Sequence, residues 1–405
     1  MPHPSVPAPG LAAPAPPEAP LPRAPAGTAL YVHVPFCVVK CPYCDFFSVE
    51  AEGQDLSGTV AALLHEARAR APQAPKTVFI GGGTPSLLPE PLLVELFDGL
   101  DGLTGFRSSA VEVTAECNPE SLDRDKARLL AQLGVTRLSV GVQSLNPDTL
   151  KFLGRAHGPE DALRALEAAR GTDAAVGADM IYACPGQSVE DWEDELSRVL
   201  EFEPQHLSAY NLTIEEGTLF HVQRERGELM TAPEEVELAC FERTREVAEA
   251  AGLGRYEISN YARPGHECQH NLTYWANGAY VGLGPGAVSK VGLARAGNPR
   301  SLAPYLRWVQ NDEHATLWRE QLDPLHRLGE TWWLGLRRSA GVDPMEALLA
   351  AGLDGAVDDP APGLAQELEQ QGLLENVDGR WHLTDRGWPL ADGVARKFLA
   401  LGKQP

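Results

Sequence analysis

The sequence predicts an α/β protein: six strand–helix units forming an open or partial (β/α)6 barrel, then an extension and a small helical, winged-helix-like C-terminal domain. Three observations predict it. Short β-rich runs alternate with amphipathic stretches from residue 29 to about residue 211. These runs lead straight into unusual turns. Beyond about residue 290 the chain becomes helix-rich and closes on a strand–turn–strand. On alternation alone a doubly wound parallel sheet fits as well.

Residues 1–28 are dominated by Pro and Ala and are expected to be a disordered or polyproline-like tail. The predicted strands are 30–34, 77–80, 111–115, 137–140, 176–181 and 206–211. Between them, 56–70, 90–100, 123–133, 159–170 and 189–200 repeat apolar residues at three and four positions, as helices do. Strand–helix alternation repeated this often argues for a parallel sheet with helical crossovers.

The turns after these strands carry the chemistry. Cys37, Cys41 and Cys44 follow the first, and Gly81-Gly82-Gly83-Thr84-Pro85 the second. Glu116-Cys117-Asn118-Pro119 follows the third, Gly141-Val142-Gln143-Ser144 the fourth and Cys184-Pro185-Gly186 the fifth. In barrels of this kind the loops after the strand C-termini build the active site. One face is therefore expected to gather thiols, a glycine turn, a carboxylate and an amide.

Three thiols spaced C-x3-C-x2-C read as a loop wrapped around metal, because soft thiolates favour zinc, copper(I) or iron–sulfur clusters. Structural zinc asks for four protein ligands, and no fourth stands at a suitable offset. A [4Fe–4S] cluster on three thiolates leaves one iron open to an external ligand. The plain alternative is three incidental buried cysteines. The glycine turn lets backbone approach a ligand unobstructed, or simply makes a tight strand–helix turn. Glu116 reads as a partner for ribose hydroxyls or an ammonium, or as a solvated loop carboxylate. Gln143 has the parallel reading of a satisfied turn amide.

Past the sixth strand come a predicted helix at 234–251 and an extended piece at 256–261. The stretch 266–275 then packs His266, His270, Cys268, Tyr274 and Trp275 together. Aromatic faces beside imidazoles suit a flat apolar ligand with a metal, such as a porphyrin; an ordered loop with capping side chains is the simpler reading. A second glycine turn, Gly282 to Ala287, follows. Near the end, 372–384 has hairpin character with Asp378-Gly379 at the turn.

With 405 residues the chain is long enough for a large core and two domains. The formal net charge of −22 repels phosphate backbones, so nucleic acid is not an expected partner. No apolar run approaches membrane-span length, and the first residues lack the pattern of a secretory leader. Seven cysteines, an odd number with three of them clustered, suit a reducing compartment. The expectation is a cytoplasmic protein without membrane insertion.

Taken together, these residues resemble the oxygen-independent coproporphyrinogen III oxidase-like family of the radical SAM superfamily, and within it the haem-chaperone branch. The resemblance rests on Tyr31-Val32-His33-Val34-Pro35-Phe36-Cys37, Phe79 to Ser86, Glu116 to Glu120, Arg137 to Ser144, Leu153 to His157, Asp179 to Tyr182 and His270-Asn271-x-x-Tyr274-Trp275. It covers about 30–290, more weakly to the C-terminus. It implies a radical SAM barrel with extension over 29–290 and a C-terminal domain over 291–405. It further implies a [4Fe–4S] cluster on Cys37, Cys41 and Cys44, and S-adenosylmethionine held by Tyr31, Gly82 and Glu116. Gly83, Thr84, Gln143, Arg155 and Asp179 match nucleoside contacts of the oxidases, Tyr43 would pack over cluster or adenine, and His270 is the candidate haem contact. The implied partners are haem or porphyrin, a haem-accepting protein and, if radical chemistry occurs, a flavodoxin or ferredoxin. The implied function is haem chaperoning, with oxidative decarboxylation of coproporphyrinogen III as the alternative. Two departures from the oxidase pattern favour the chaperone branch: Asp45 replaces a further cysteine, and the Pro/Ala tail replaces a substrate-contacting segment. Two others depart from the chaperone pattern: Leu272 stands where Arg is common, and Val288 where His is.

Overall fold

A computed structural model of the chain describes residues 23–311, 318–353 and 359–401. Most of the expected tail, 1–22, lies outside the described residues. The body is already tied down before residue 29, where the Gly27 N–H donates to the Gln73 carbonyl at 3.1 Å.

Six parallel strands form the centre: β1 (Ala29–Val34), β2 (Thr77–Gly82), β3 (Glu112–Cys117), β4 (Arg137–Gln143), β5 (Ala175–Tyr182) and β6 (His206–Asn211). The main crossover helices are α1 (Leu56–Arg70), α2 (Glu90–Thr104), α3 (Arg124–Gln132), α4 (Pro159–Arg170) and α5 (Val189–Leu200). Local chemistry sets their starts. Asp55 accepts the Gly58 N–H ahead of α1, and Asp123 that of Lys126 ahead of α3. Ser188 and Asp191 cap one another's backbone at α5, a capping box. After β6 come α6 (Leu219–Glu225), α7 (Glu234–Ala250), β7 (Gly254–Arg255), β8 (Asn260–Ala262) and α8 (Gln269–Trp275).

The sheet does not stop at residue 290. β9 (Tyr280–Leu283) lies parallel beside β1, and β10 (Val288–Val291), β11 (Ala294–Gly297) and β12 (Trp318–Gln321) add antiparallel strands. The described residues thus make one open twelve-stranded sheet in the order β12-β11-β10-β9-β1-β2-β3-β4-β5-β6-β8-β7. The expected boundary falls inside β10. The next strand, β11, is short and built of Ala, Gly and Arg, so it carries little strand signature.

A second core gathers from Leu328 onward, around Trp332, Trp381 and Phe398. Trp332 and Phe398 stack with ring centroids 4.9 Å apart. This region holds α9 (Leu302–Gln310) at its approach, then α10 (Pro324–Gly335), α11 (Pro344–Ala350), α12 (Ala361–Gln370) and the hairpin β13 (Leu374–Val377) with β14 (Arg380–Leu383). Asp378 and Gly379 both have positive φ, as a two-residue hairpin turn requires. No helix among the described residues is long and apolar enough to cross a membrane.

Strand alternation explains the interior. Leu30, Val32 and Val34 on β1, and their counterparts on the other strands, pack under the helices. The opposite face carries Tyr31, Glu116, Arg137, Ser139, Asp179 and His206, so the barrel encloses polar groups. Such groups are tolerated only where partners satisfy them.

Candidate cofactor site at the barrel mouth

The cysteine loop leaves β1 and folds back on itself. Phe36–Cys37 pairs with Val49–Glu50, and the Cys44 N–H donates to the Cys41 carbonyl at 3.2 Å. Cys37, Cys41 and Cys44 are free thiols and partly exposed, whereas Cys117, Cys184, Cys240 and Cys268 are buried. Burial pushes the Cys37 thiol up and holds Cys44 at about 11. Gly154, at φ +66°, lies against the loop, and a Cβ there would come within 2.6 Å of the Pro42 ring. On the other side the Phe220 N–H donates to the Pro42 carbonyl at 3.0 Å, and the Phe220 ring stands 6.4 Å from Tyr43.

The three glycines at the end of β2 are each required for a different reason. A Cβ on Gly81 would fall 2.5 Å from Glu116 Oε2, one on Gly82 2.3 Å from His33 Nδ1, and one on Gly83 2.6 Å from the Phe36 carbonyl. This turn is therefore pressed between β1 and β3. The Gly82 N–H donates to Glu116 Oε2 at 2.9 Å. Burial raises the Glu116 carboxyl to about 7, and the Gly82 N–H offsets part of that rise. Asp179 stands deeper, accepting from Ser139 Oγ at 2.8 Å, and burial raises its pKa as well.

Gln143 sits at a register shift in β4 with φ +64°. Such a bulge re-aims a side chain, and here it brings the amide over Gly141. A Cβ on Gly141 would lie 2.9 Å from Gln143 Nε2 and 2.7 Å from Asn118 Oδ1. Arg155 reaches the same place: one terminal nitrogen donates to Asn118 Oδ1 at 2.7 Å, the other to Cys41 Sγ at 3.5 Å. Thr84 Oγ1 accepts from Asn118 Nδ2 at 2.8 Å and donates to Cys37 Sγ at 3.7 Å.

Tyr31 is oriented from below. Its hydroxyl pairs with His33 Nδ1 at 2.9 Å, and His33 Nε2 with the Phe47 carbonyl at 2.7 Å. A carbonyl only accepts, so Nε2 carries the proton and Tyr31 donates to Nδ1. Burial lowers His33 to about 4, so the ring stays neutral.

The structure thus brings Tyr31, Gly82, Gly83, Thr84, Glu116, Gln143, Arg155 and Asp179 together with Tyr43 and the three thiols. His270 is the exception. It is 0% exposed on α8 at the barrel floor, with Nδ1 on Thr77 Oγ1 and Nε2 on Tyr274 OH, both at 2.9 Å. A haem-iron ligand needs a reachable ring nitrogen, and here both nitrogens of His270 are engaged by neighbours. Sequence reasoning also missed Asn118 and His33. Both stand inside the quoted motifs, and their contacts are visible only once β1, β3 and the Arg155 turn are adjacent.

The donor set suits an iron–sulfur cluster. A four-iron cube asks for thiolates on separate iron atoms, and three free thiols around one loop offer that.

The radical SAM superfamily model matches residues 31–199, and the HemN C-terminal domain model residues 322–390. The heme chaperone HemW of Bacillus subtilis is 33% identical across 91% of this chain and 98% of its own length. The chain belongs to the HemW family. The HemW of Escherichia coli is 41% identical over 65% of this chain and 70% of its own, and that of Mycobacterium tuberculosis 36% over 94% and 96%. In structure, the coproporphyrinogen III oxidase HemN of Escherichia coli superposes with a TM-score of 0.79, covering 93% of this chain and 90% of that one at 24% identity. This likeness establishes the radical SAM fold.

Proposed function

We propose that this chain is a haem chaperone that carries a [4Fe–4S] cluster and S-adenosylmethionine at the barrel mouth and transfers haem to an acceptor protein. The observation carrying this reading is the convergence of three free thiols with the glycine turn, Glu116 and the Arg155 network on one rim of a HemW-family chain. Cys37, Cys41 and Cys44 would hold the cluster. Tyr31, Gly82 and Glu116 line the adjoining cleft for S-adenosylmethionine, with Gly83, Thr84, Gln143, Arg155 and Asp179 around it and Tyr43 packing beside the cluster. When bound, the cluster supplies one open iron and a reducing electron. The protein's part is orientation and exclusion of water: the Gly82 N–H holds the Glu116 carboxylate, and His33 holds the Tyr31 hydroxyl.

The same mouth has apolar surface for a macrocycle. Val38 and Val39 on the cysteine loop are exposed, as are Leu219 and Val222 on α6, which is tied to that loop through Phe220 and Pro42. We assign haem to this rim in place of His270. The reading includes a cytoplasmic location, 29–290 as the core of the cofactor-binding part and 291–405 as a covering domain. A flavodoxin or ferredoxin serves as electron donor if S-adenosylmethionine is cleaved. Asp45, whose side chain pairs with Arg300 at 3.0 Å, stands where the oxidases carry a further cysteine, which favours the chaperone over the oxidase.

Anaerobic reconstitution followed by haem titration tests this. Iron, sulfide and a saturable Soret band are expected, with transfer of haem to an apo-haemoprotein. Conversion of coproporphyrinogen III to protoporphyrinogen IX, with S-adenosylmethionine and a reductant, would replace the chaperone with the oxidase. Zinc without iron or sulfide would overturn both.

A further inference from the structure

The hydrogen bonds around the thiols form one continuous path between two of them. It runs from Cys41 Sγ to Arg155 (3.5 Å), to Asn118 (2.7 Å), to Thr84 (2.8 Å) and to Cys37 Sγ (3.7 Å). Its direction is forced. A guanidinium only donates, so the Asn118 atom facing Arg155 is the oxygen, and the amide nitrogen must face Thr84. The nitrogen donates to Thr84 Oγ1, which leaves the hydroxyl hydrogen free for Cys37. One asparagine amide therefore aims both donors at sulfur. Thr84 is 1% exposed, and its own N–H is held by the Phe36 carbonyl at 2.6 Å, so the hydroxyl has little freedom to turn elsewhere. Gly141 leaves the room in which the amide sits, since a Cβ there would stand 2.7 Å from Asn118 Oδ1.

We propose that Asn118 is a positioning residue that holds Thr84 and Arg155 as hydrogen-bond donors on Cys37 and Cys41 and so raises the reduction potential of the cluster they ligate. This rests on the cluster reading above. Donors to a coordinating thiolate favour the reduced cluster, which carries more negative charge, and second-shell partners of this kind tune a metal centre without touching it. Loss of one donor should therefore lower the reduced-to-oxidised ratio at fixed potential by roughly tenfold, equivalent to about 1.4 kcal/mol.

The test uses the full chain, reconstituted anaerobically, as wild type, Thr84→Val, Thr84→Ser, Asn118→Asp and Asn118→Ala. Iron and sulfide are measured first, then the midpoint potential by EPR-monitored titration and the iron–thiolate stretches by resonance Raman. Thr84→Val removes the donor without changing charge. In Asn118→Asp the carboxylate accepts from Thr84 and turns its hydroxyl away from Cys37. Both should load cluster, titrate at a more negative potential and shift the stretches upward, while Thr84→Ser matches wild type. Should Thr84→Val fail to fold, Asn118→Ala, which keeps Thr84 and both cysteines, is expected to move the potential the same way. Loaded variants with wild-type potentials and stretches would overturn the proposal. A wild type that takes up no iron or sulfide would instead overturn the cluster reading beneath it.

Discussion

Glu116 offers the most direct measurement of how the cleft works. Its carboxyl is raised from 4.5 to about 7, first by burial and further by the nearby Asp179, and the Gly82 N–H draws it back down. If S-adenosylmethionine binds only to the ionised carboxylate, the apparent dissociation constant scales as one plus the ratio of protonated to ionised Glu116. For a pKa of about 7 that factor is roughly 11 at pH 6 and about 1.1 at pH 8, a tenfold change worth about 1.4 kcal/mol. Affinity should therefore tighten about tenfold between pH 6 and pH 8. Glu116→Gln keeps the shape and cannot ionise. It should bind roughly ten- to a hundredfold more weakly at pH 8, having lost a charge-assisted hydrogen bond, with the Glu116 contribution to the pH slope gone. Equilibrium dialysis of labelled S-adenosylmethionine over this range reads both quantities. Equal slopes in wild type and variant would refute the reasoning, because the proton would then belong to another group.

Two further outcomes follow from buried groups. Glu257 is fully buried between the Ser259 N–H and the Asn260 amide, and burial raises it from 4.5 to about 7. A raised carboxyl contributes stability below its unfolded pKa and loses it as pH rises through the folded value, here about 3 kcal/mol in total. The melting temperature of Glu257→Gln should therefore gain on wild type from pH 5 to pH 8, and a constant gap in thermal scans would contradict this. His270→Ala should cost about 3 kcal/mol from a buried cavity and lost hydrogen bonds, while the Soret band of the folded fraction stays intact. A lost band at unchanged melting temperature would return His270 to the haem site.

The six barrel strands and five main crossover helices were legible because β1 to β5 combine β-branched residues with clear ends, and the helix-facing positions of all six strands are mostly apolar. The mouth was legible in outline, since most of its residues lie at or just past the C-terminal ends of strands, where a parallel barrel gathers them. What stayed hidden depends on contacts between distant segments. The bulge that turns Gln143 inward needs the β4–β5 register, and Asn118 gains its role only when Arg155 arrives from another turn. β10 to β12 carry serine, glycine and arginine, so their pairing is set by β9 beside them more than by propensity.

The floor of the barrel explains the stretch that sequence reasoning read as porphyrin-like. Arg137 and Glu112 would be an isolated ion pair on the inner face, 3.2 Å apart and both buried. Such a pair is stable only when its remaining hydrogen-bonding capacity is met. The start of α8 meets much of it, with Arg137 Nη1 left unpaired: the Gln269 and His270 N–H groups each donate to a Glu112 oxygen at 3.0 Å, and the His266 carbonyl accepts from Arg137 at 2.7 Å. A carboxylate at a helix N-terminus is favoured in its own right. With Glu112 as its cap, α8 swings His270 onto Thr77 and closes the barrel from below. The His270 and Tyr274 side chains are therefore engaged in sealing the polar interior from below, at the opposite end of the strands from the thiols.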